Sequence, residues 1–317
     1  MKKDIFNTPI LIICFNRPQY ISKQVEAIKL ALPSTIYIYS DGPRQNNLDD
    51  IRKTKKVITL YNELIDWECD VKFFSNEKNL GCSRGPISAM SWFFNHVEMG
   101  IILEDDIIPS IDFFKFSQEM LENYRDDRRV ISISGCNLGF EGVPNSYFYS
   151  NIMNMWGWAT WRDRFEEVDF DMTSWEGKRN KLYFLYDKLK NGTFDLDINW
   201  WIYWKTIFDK TVSFSKDRVT WWDYQFIYHQ LNNNQYSIFP NRNLIKNIGF
   251  DSDATHTGQI NNPVRFLKSK QLDFPIQVNN ELKNNKEFYE FFLKPLWAFY
   301  NRPNWKFYFG KLFKKNK

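Results

Sequence analysis

Gly100-Ile101-Ile102-Leu103-Glu104-Asp105-Asp106-Ile107-Ile108-Pro109-Ser110-Ile111-Asp112-Phe113-Phe114-Lys115-Phe116 is the stretch on which the fold turns. The apolar run Ile101-Ile102-Leu103 stops at three successive carboxylates, and a new amphipathic pattern begins after Pro109 and Ser110. That order predicts a buried strand, an acidic tip and a capped helix. If the tip stays extended, Glu104 and Asp106 share one face while Asp105 takes the other. Three carboxylates this close repel one another unless a positive charge sits among them. Oxygen-only donors suit a hard divalent ion, Mg2+ or Mn2+, which takes few protein ligands and shares the rest of its shell with substrate phosphates. An acidic helix N-terminus, favoured by the helix dipole, accounts for the same residues without any function.

Upstream, strand and helix signals alternate. Residues 9–15 are a continuous apolar run that Asn16-Arg17-Pro18 breaks, and 19–31 carries Ile21, Val25 and Ile28 at helical spacing. Residues 35–39 are β-branched and aromatic and end at Ser40-Asp41-Gly42-Pro43. A polar amphipathic helix follows over 48–64, then a strand over 71–74. Asn79-Leu80-Gly81 leads into a helix over 83–96, ahead of the strand that starts at Gly100. The alternation predicts an α/β fold with a mostly parallel central sheet flanked by helices. Ligands of such sheets bind beyond the carboxyl ends of the strands. Arg17, Asp41, Arg84 and the acids 104–106 should therefore lie along one edge. Singly, each reads as a turn former or a solvent charge. Jointly they compose a nucleotide-diphosphate site, with Asp41 on base or ribose, Arg17 or Arg84 near phosphate, and an acid holding metal. Neither a Walker A pattern nor a Gly-x-Gly-x-x-Gly turn is present.

Downstream, 130–134 alternates like a strand and ends at Gly135-Cys136-Asn137. In Met153-Asn154-Met155-Trp156-Gly157-Trp158-Ala159-Thr160-Trp161-Arg162, the tryptophans are either core or a platform for sugar rings, with Trp156 and Trp158 as acceptor-binding candidates and Gly157 allowing close approach. Residues 198–208 form a bulky aromatic helix, Trp221-Trp222-Asp223-Tyr224-Gln225 opens another, and 243–249 suggests a strand before the polar loop that contains His256. A competing motif, Gly81-Cys82-Ser83-Arg84-Gly85, matches the Gly-x-Ser-x-Gly elbow of α/β-hydrolases, which would make the protein a serine esterase using Ser83. Residues 75–80 intervene between strand and motif, which counts against it.

With 317 residues the chain is long enough for a large core, and its 18% aromatic content exceeds what a core needs. The net charge of +4 gives no support to nucleic-acid binding. Residues 301–317 carry six basic side chains and no acid, so the positive excess belongs to the tail. Its aromatics, mixed with lysines, fit either packing on the core or an anchor on an anionic membrane surface. The cysteines, Cys14, Cys69, Cys82 and Cys136, form no metal or disulfide pattern. No segment reaches the ~20 apolar residues of a membrane span. The expectation is a cytoplasmic protein, peripheral on the inner face of the cytoplasmic membrane if the tail anchors it.

Taken together, Ile-Cys-Phe-Asn-Arg-Pro (13–18), Tyr-Ser-Asp-Gly (39–42), Leu-Glu-Asp-Asp (103–106) with Asp-Phe-Phe (112–114), Gly-Trp-Ala-Thr-Trp (157–161), Trp-Asp-Tyr-Gln (222–225) and Asn-Ile-Gly-Phe (247–250) with Ala-Thr-His-Thr (254–257) resemble GT-A fold nucleotide-sugar glycosyltransferases. Their order is similar to that in N-acetylglucosaminyltransferase I and in bacterial surface-polysaccharide transferases. The resemblance implies a Rossmann-like catalytic domain over 1–262, with a nucleotide-binding half (1–135) and an acceptor half (136–262), followed by an extension over 263–317. It implies that Asp106 ligates Mn2+ or Mg2+. His256, in the polar loop, reads as a second metal ligand, a hydrogen-bond donor to the phosphates, or a plain surface histidine. Glu104, Asp105 and Arg17 would contact the nucleotide, and Asp41 would read the base. It also implies a catalytic carboxylate in the Trp-Asp segment; where the animal enzyme has two adjacent acids, this chain has Asp223 followed by Tyr224. The expected reaction moves a sugar, from a UDP-sugar by preference, to a glycan or lipid-linked glycan, with Asp223 as the single base and inversion as the outcome. A sugar-binding protein without turnover is the other reading on the same fold.

Overall fold

The computed structural model describes residues 6–179, 198–213, 221–250, 263–279 and 281–292. Four strand and helix pairs build the first part: β1 (Ile10–Cys14), α1 (Pro18–Lys29), β2 (Thr35–Ser40), α2 (Leu48–Leu64), β3 (Asp70–Ser75), α3 (Gly81–Phe94), β4 (Met99–Glu104), then the short β5 (Ile107–Pro109) and α4 (Ile111–Asn123). There follow β6 (Val130–Ser134), β7 (Tyr147–Ser150), β8 (Trp158–Trp161), α5 (Arg162–Glu166), α6 (Trp175–Lys178), α7 (Ile198–Ser213), α8 (Asp223–Asn232), β9 (Tyr236–Pro240) and β10 (Ile245–Asn247).

The main sheet has the order β3-β2-β1-β4-β8-β6-β9-β7. β1, β2, β3 and β4 are mutually parallel, as are β6 and β9; β8 runs antiparallel between β4 and β6, and β7 is an antiparallel edge. The expected α/β fold with a mostly parallel sheet flanked by helices is therefore present. Period-2 alternation explains why β1 is apolar throughout. Ile10, Ile12 and Cys14 pack with Ile21 and Val25 of α1, Tyr61 of α2 and Phe113 of α4 on one face. Leu11 and Ile13 pack with Met90 and Phe93 of α3 and Phe226 of α8 on the other. Ser110 caps α4, its hydroxyl accepting from Phe113 N at 3.3 Å.

Three differences from the sequence reading have physical causes. The tip is not extended: the strand ends at Glu104 and residues 105–106 form a turn, so the alternating-face rule lapses there. Residues 158–161 are the antiparallel strand β8, too short and too mixed in size to show a period. Gly157, at φ +65°, serves packing and not ligand approach, because a Cβ there would lie 2.6 Å from the Ile245 side chain.

The described part of the segment after 262 is joined to the core. Leu272 N donates to Asp112 Oδ2 at 3.0 Å, Gln277 N to Ser146 Oγ at 2.9 Å and Asn285 N to Tyr149 O at 2.9 Å, which covers the β7 edge. Leu272, Ile276, Phe288 and Tyr289 are buried. Residues 293–317, including the basic tail, lie outside the described residues.

Candidate functional site

The strand order reverses at β1, with β2 on one side and β4 on the other. Such a switch point opens a crevice beyond the strand ends. Register lines the three strands up there: Ile13 is opposite Glu104 and Cys14 opposite Ser40. The next residues in each chain, Asn16-Arg17, Asp41 and Asp105-Asp106, must then emerge together.

Arg17 sits at the N-terminus of α1, before Pro18, where the chain leaves β1. Its Nη1 donates to Asp105 Oδ1 at 3.1 Å and to Asp106 Oδ2 at 3.0 Å. Phe15 N adds a bond to Asp105 Oδ2 at 3.3 Å. The turn at 105–106 is what lets two consecutive aspartates share one cation. Gln24 of α1 fixes that turn from beneath: its buried amide donates to Glu104 O at 2.6 Å and Ile107 O at 3.0 Å, and accepts from Tyr61 OH at 2.6 Å.

The electrostatics follow from packing acids together out of water. Burial first, then Asp106 and Asp105, push Glu104 up to about 8 against the pull of Arg17, and Asp223 adds to the push. Burial and Asp105 raise Asp106 to about 6, and burial raises Asp105 although Arg17 opposes it. Burial works against the charge of Arg17, but Asp105, Asp106 and Glu104 outweigh it and hold the guanidinium above its ordinary value. The influence of Asp223 on Glu104 brings the first residue of α8 into the same electrostatic neighbourhood. Asp223 is half-buried, at a helix N-terminus that favours its charge.

Asp41 does something that the sequence reading did not foresee. Its Oδ1 accepts from Gly42 N and Leu80 N, both at 2.9 Å, and its Oδ2 from Asn79 Nδ2 at 2.9 Å and Gly81 N at 3.0 Å. The carboxylate thus clasps the loop that starts α3, with its lone pairs taken. Base reading is replaced here by a positioning role: Asp41 sets the start of the helix that carries Arg84, which is exposed in the first turn. Ser83, the alternative nucleophile, is buried in that same turn, separated from β3 by a loop, and no strand-to-helix elbow forms.

Two residues, Gly249 and Gln24, join the site although the sequence reading assigned neither of them a role there. β10 pairs antiparallel with β5, and Ile248 N donates to Asp106 O at 2.9 Å. That lays Gly249 against the acid: a Cβ there would overlap the Asp106 carboxylate, 2.7 Å from its Cγ. Asn247 Oδ1 accepts from Gly249 N at 2.7 Å and shapes the bend. Gly249 stands in Asn-Ile-Gly-Phe, where the resemblance could have flagged it; Gln24 looked like any helical glutamine.

Trp158 is corrected from acceptor platform to core, being 1% exposed and packed against Trp222 and Phe226. Trp156 is partly exposed, edge-on to Phe250 at 6.0 Å. His256 lies outside the described residues. Among the described residues, no group of three or more His, Cys, Asp or Glu is arranged to hold a metal, and no helix is long and apolar enough to cross a membrane. The donor chemistry at Asp105 and Asp106 is nonetheless that of a hard cation. Both carboxylates already converge on one positive group, and two protein carboxylates suffice when phosphates complete the shell.

No protein-family model matches the chain. Among solved structures it is similar to HddC from Yersinia pseudotuberculosis, at 12% identity over 53% of this chain and 83% of that one, with a TM-score of 0.34. The same protein complexed with GMP-PN gives 11% identity, 51% and 80% coverage and a TM-score of 0.36. UDP-glucose pyrophosphorylase complexed with UDP-glucose gives 11% identity, 50% and 78% coverage and a TM-score of 0.33. At these scores the likeness carries no argument about what this chain does.

Proposed function

We propose that the protein is a metal-dependent glycosyltransferase that moves a sugar from a nucleotide-diphosphate donor, a UDP-sugar by preference, to a glycan or lipid-linked glycan. The observation that carries the reading is the meeting of Arg17, Asp105 and Asp106 at the switch point of the sheet. In this reading Asp106, with Asp105 beside it, holds Mn2+ or Mg2+, which when bound neutralises charge on the departing diphosphate. Arg17 exchanges its aspartate partners for a phosphate as the donor enters. Glu104 faces the ribose, whose hydroxyls can donate to its carboxylate. Asp223 takes the proton of the acceptor hydroxyl as it attacks the anomeric carbon, and a single displacement inverts the configuration. Asp41 holds α3, and so Arg84, at the donor side.

Thermal melts against UDP, GDP, CMP and TDP, each with and without Mn2+, test the reading. Ligand bound only to the folded state at about a hundredfold excess over Kd should add about 2.7 kcal/mol of stability. One nucleotide should shift the melt, only with metal, and Asp106→Ala should abolish the shift. A shift that survives Asp106→Ala, or no shift with any nucleotide, removes the metal-diphosphate site from the account.

A further inference from the structure

We infer that a second site on the same sheet edge, a basic cavity beyond β6 and β9, binds an acidic saccharide. β6 and β9 are parallel to each other, and β8 is antiparallel to both β4 and β6. Their carboxyl ends therefore face the same way as that of β4. The cavity, of about 330 Å3, is bounded by the chain just after β6, the chain just after β9, and residues 266–270. That is the size of a pocket for one or two sugar rings and is too large for a lone inorganic anion.

The lining combines two features. Among the described residues of the lining, Arg242, Lys268 and Lys270 stand with a single acid, Glu141, which is held by Lys270 and also feels the charge of Arg242. Arg242 and Lys268 make no ion pair among the described residues. Phe140, Phe266 and Leu267 supply apolar surface of the kind that packs on the C–H face of a sugar. Asn243 is buried in the wall, its Nδ2 donating to Ile245 O at 2.7 Å and Lys268 O at 3.0 Å. Cations beside apolar faces together select a sugar ring that carries an anionic substituent.

The cavity is also held in shape. Lys270 N donates to Asn243 O at 2.7 Å, so Asn243 ties the lysine-bearing segment at both ends. Gly139, at φ +82°, lets Leu267 come within what would be 2.7 Å of a Cβ. Residues 244–249 lead from Asn243 to Gly249 beside Asp106; at about 3.3 Å per residue the span is at most about 20 Å. A sugar held there is therefore near enough to the point of transfer to belong to the same acceptor. The inference rests on the transferase reading only in calling that saccharide part of the acceptor.

Calorimetry on the full chain at low salt, with neither nucleotide nor metal present, tests the site apart from the donor reading. The probes are a glucuronate-containing tetrasaccharide, its carboxyl-reduced neutral counterpart, and inorganic phosphate. The acidic tetrasaccharide should bind about tenfold or more tightly than either control, and Arg242→Ala should weaken it by about tenfold. Lys268→Glu, a change at an exposed residue that leaves the melting temperature alone, should weaken it as much. Asp106→Ala should bind it as the parent does. Equal binding of the neutral sugar, equal or tighter binding of phosphate, unchanged affinity in both cavity variants, or no binding of the acidic sugar would each overturn the inference. A failure here together with a metal-dependent nucleotide shift would leave the donor site standing.

Discussion

At the switch point between β1 and β4, Arg17 is bound to two aspartates and Asp41 to a ring of amides. At the far end of the same edge, Arg242 and Lys268 make no ion pair among the described residues. The first region has its charges buried and answered from within; the second has them solvated and waiting. A ligand enters the first only by exchange, taking over bonds that already stabilise the fold. It enters the second by addition. Substitutions at the switch point should therefore change both stability and ligand response, whereas substitutions at the basic cavity should change only what binds there.

The sharpest way to separate the regions is Asp106→Ala. Losing the carboxylate that would hold the metal removes several kcal/mol of charge stabilisation, so transfer should fall on the order of a thousandfold. Arg242→Ala should leave transfer to a small acceptor within about twofold of the parent. Parallel rate measurements with a monosaccharide acceptor check both, and similar losses in the two variants would break the contrast. Gly249→Ala comes next. Its methyl would displace the Asp106 carboxylate without touching a charge, so metal affinity should drop by roughly 10–100-fold, as it does when a ligand's support is disturbed. Titrating Mn2+ in the presence of nucleotide reads this directly; an unchanged midpoint would mean that Asp106 need not stay where β10 puts it.

Gln24→Leu probes the same region from beneath. It leaves two buried carbonyls and the Tyr61 hydroxyl without their partner, and should cost about 1–3 kcal/mol in urea unfolding. Lys268→Ala should cost less than about 0.5 kcal/mol. Equal unfolding midpoints for these two would show that the tip does not depend on its buried amide.

How much of this was legible depends on how local the signal was. The parallel half reads directly, because each strand there is an apolar run closed by a turn residue and each helix has a clear apolar stripe; the helix 48–64 comes out residue for residue. β7, β8 and β9 did not read. They are four or five residues long, aromatic on both sides and partnered only at long range, so no period distinguishes them from core packing. The acids of the tip were visible as a cluster, but their mutual placement was not, since it depends on a turn at 105–106 that the run of carboxylates conceals. Asp41 shows a second limit. Its position at a strand end is plain in the sequence, yet the partners that occupy it, the amides of residues 80 and 81, are brought to it only by the crossover through α2 and β3.

The smallest expected effect concerns acid. Asp50, buried in the first turn of α2, is held at about 2, chiefly by the hydrogen bonds of Arg44, against its burial, with Asn16 Nδ2 adding a bond at 2.7 Å. Its folded value lies below the ordinary carboxylate value of 3.8, so the stability it contributes is complete above about 4 and is lost as pH falls towards about 2. Arg44 is more than half exposed, so solvent screens the pair and the contribution should stay under about 1 kcal/mol. Asp50→Asn should therefore flatten the acid limb of stability between about pH 4 and 2. Arg242→Ala should change that limb less than Asp50→Asn does, because Glu141, the acid of the basic cavity, is exposed and is held first by Lys270 and only last by Arg242. Urea midpoints measured across this range decide the matter. An acid limb unchanged in Asp50→Asn would mean that the switch-point edge keeps its shape without internal pairing, and the contrast between the two regions would then rest on Arg17 alone.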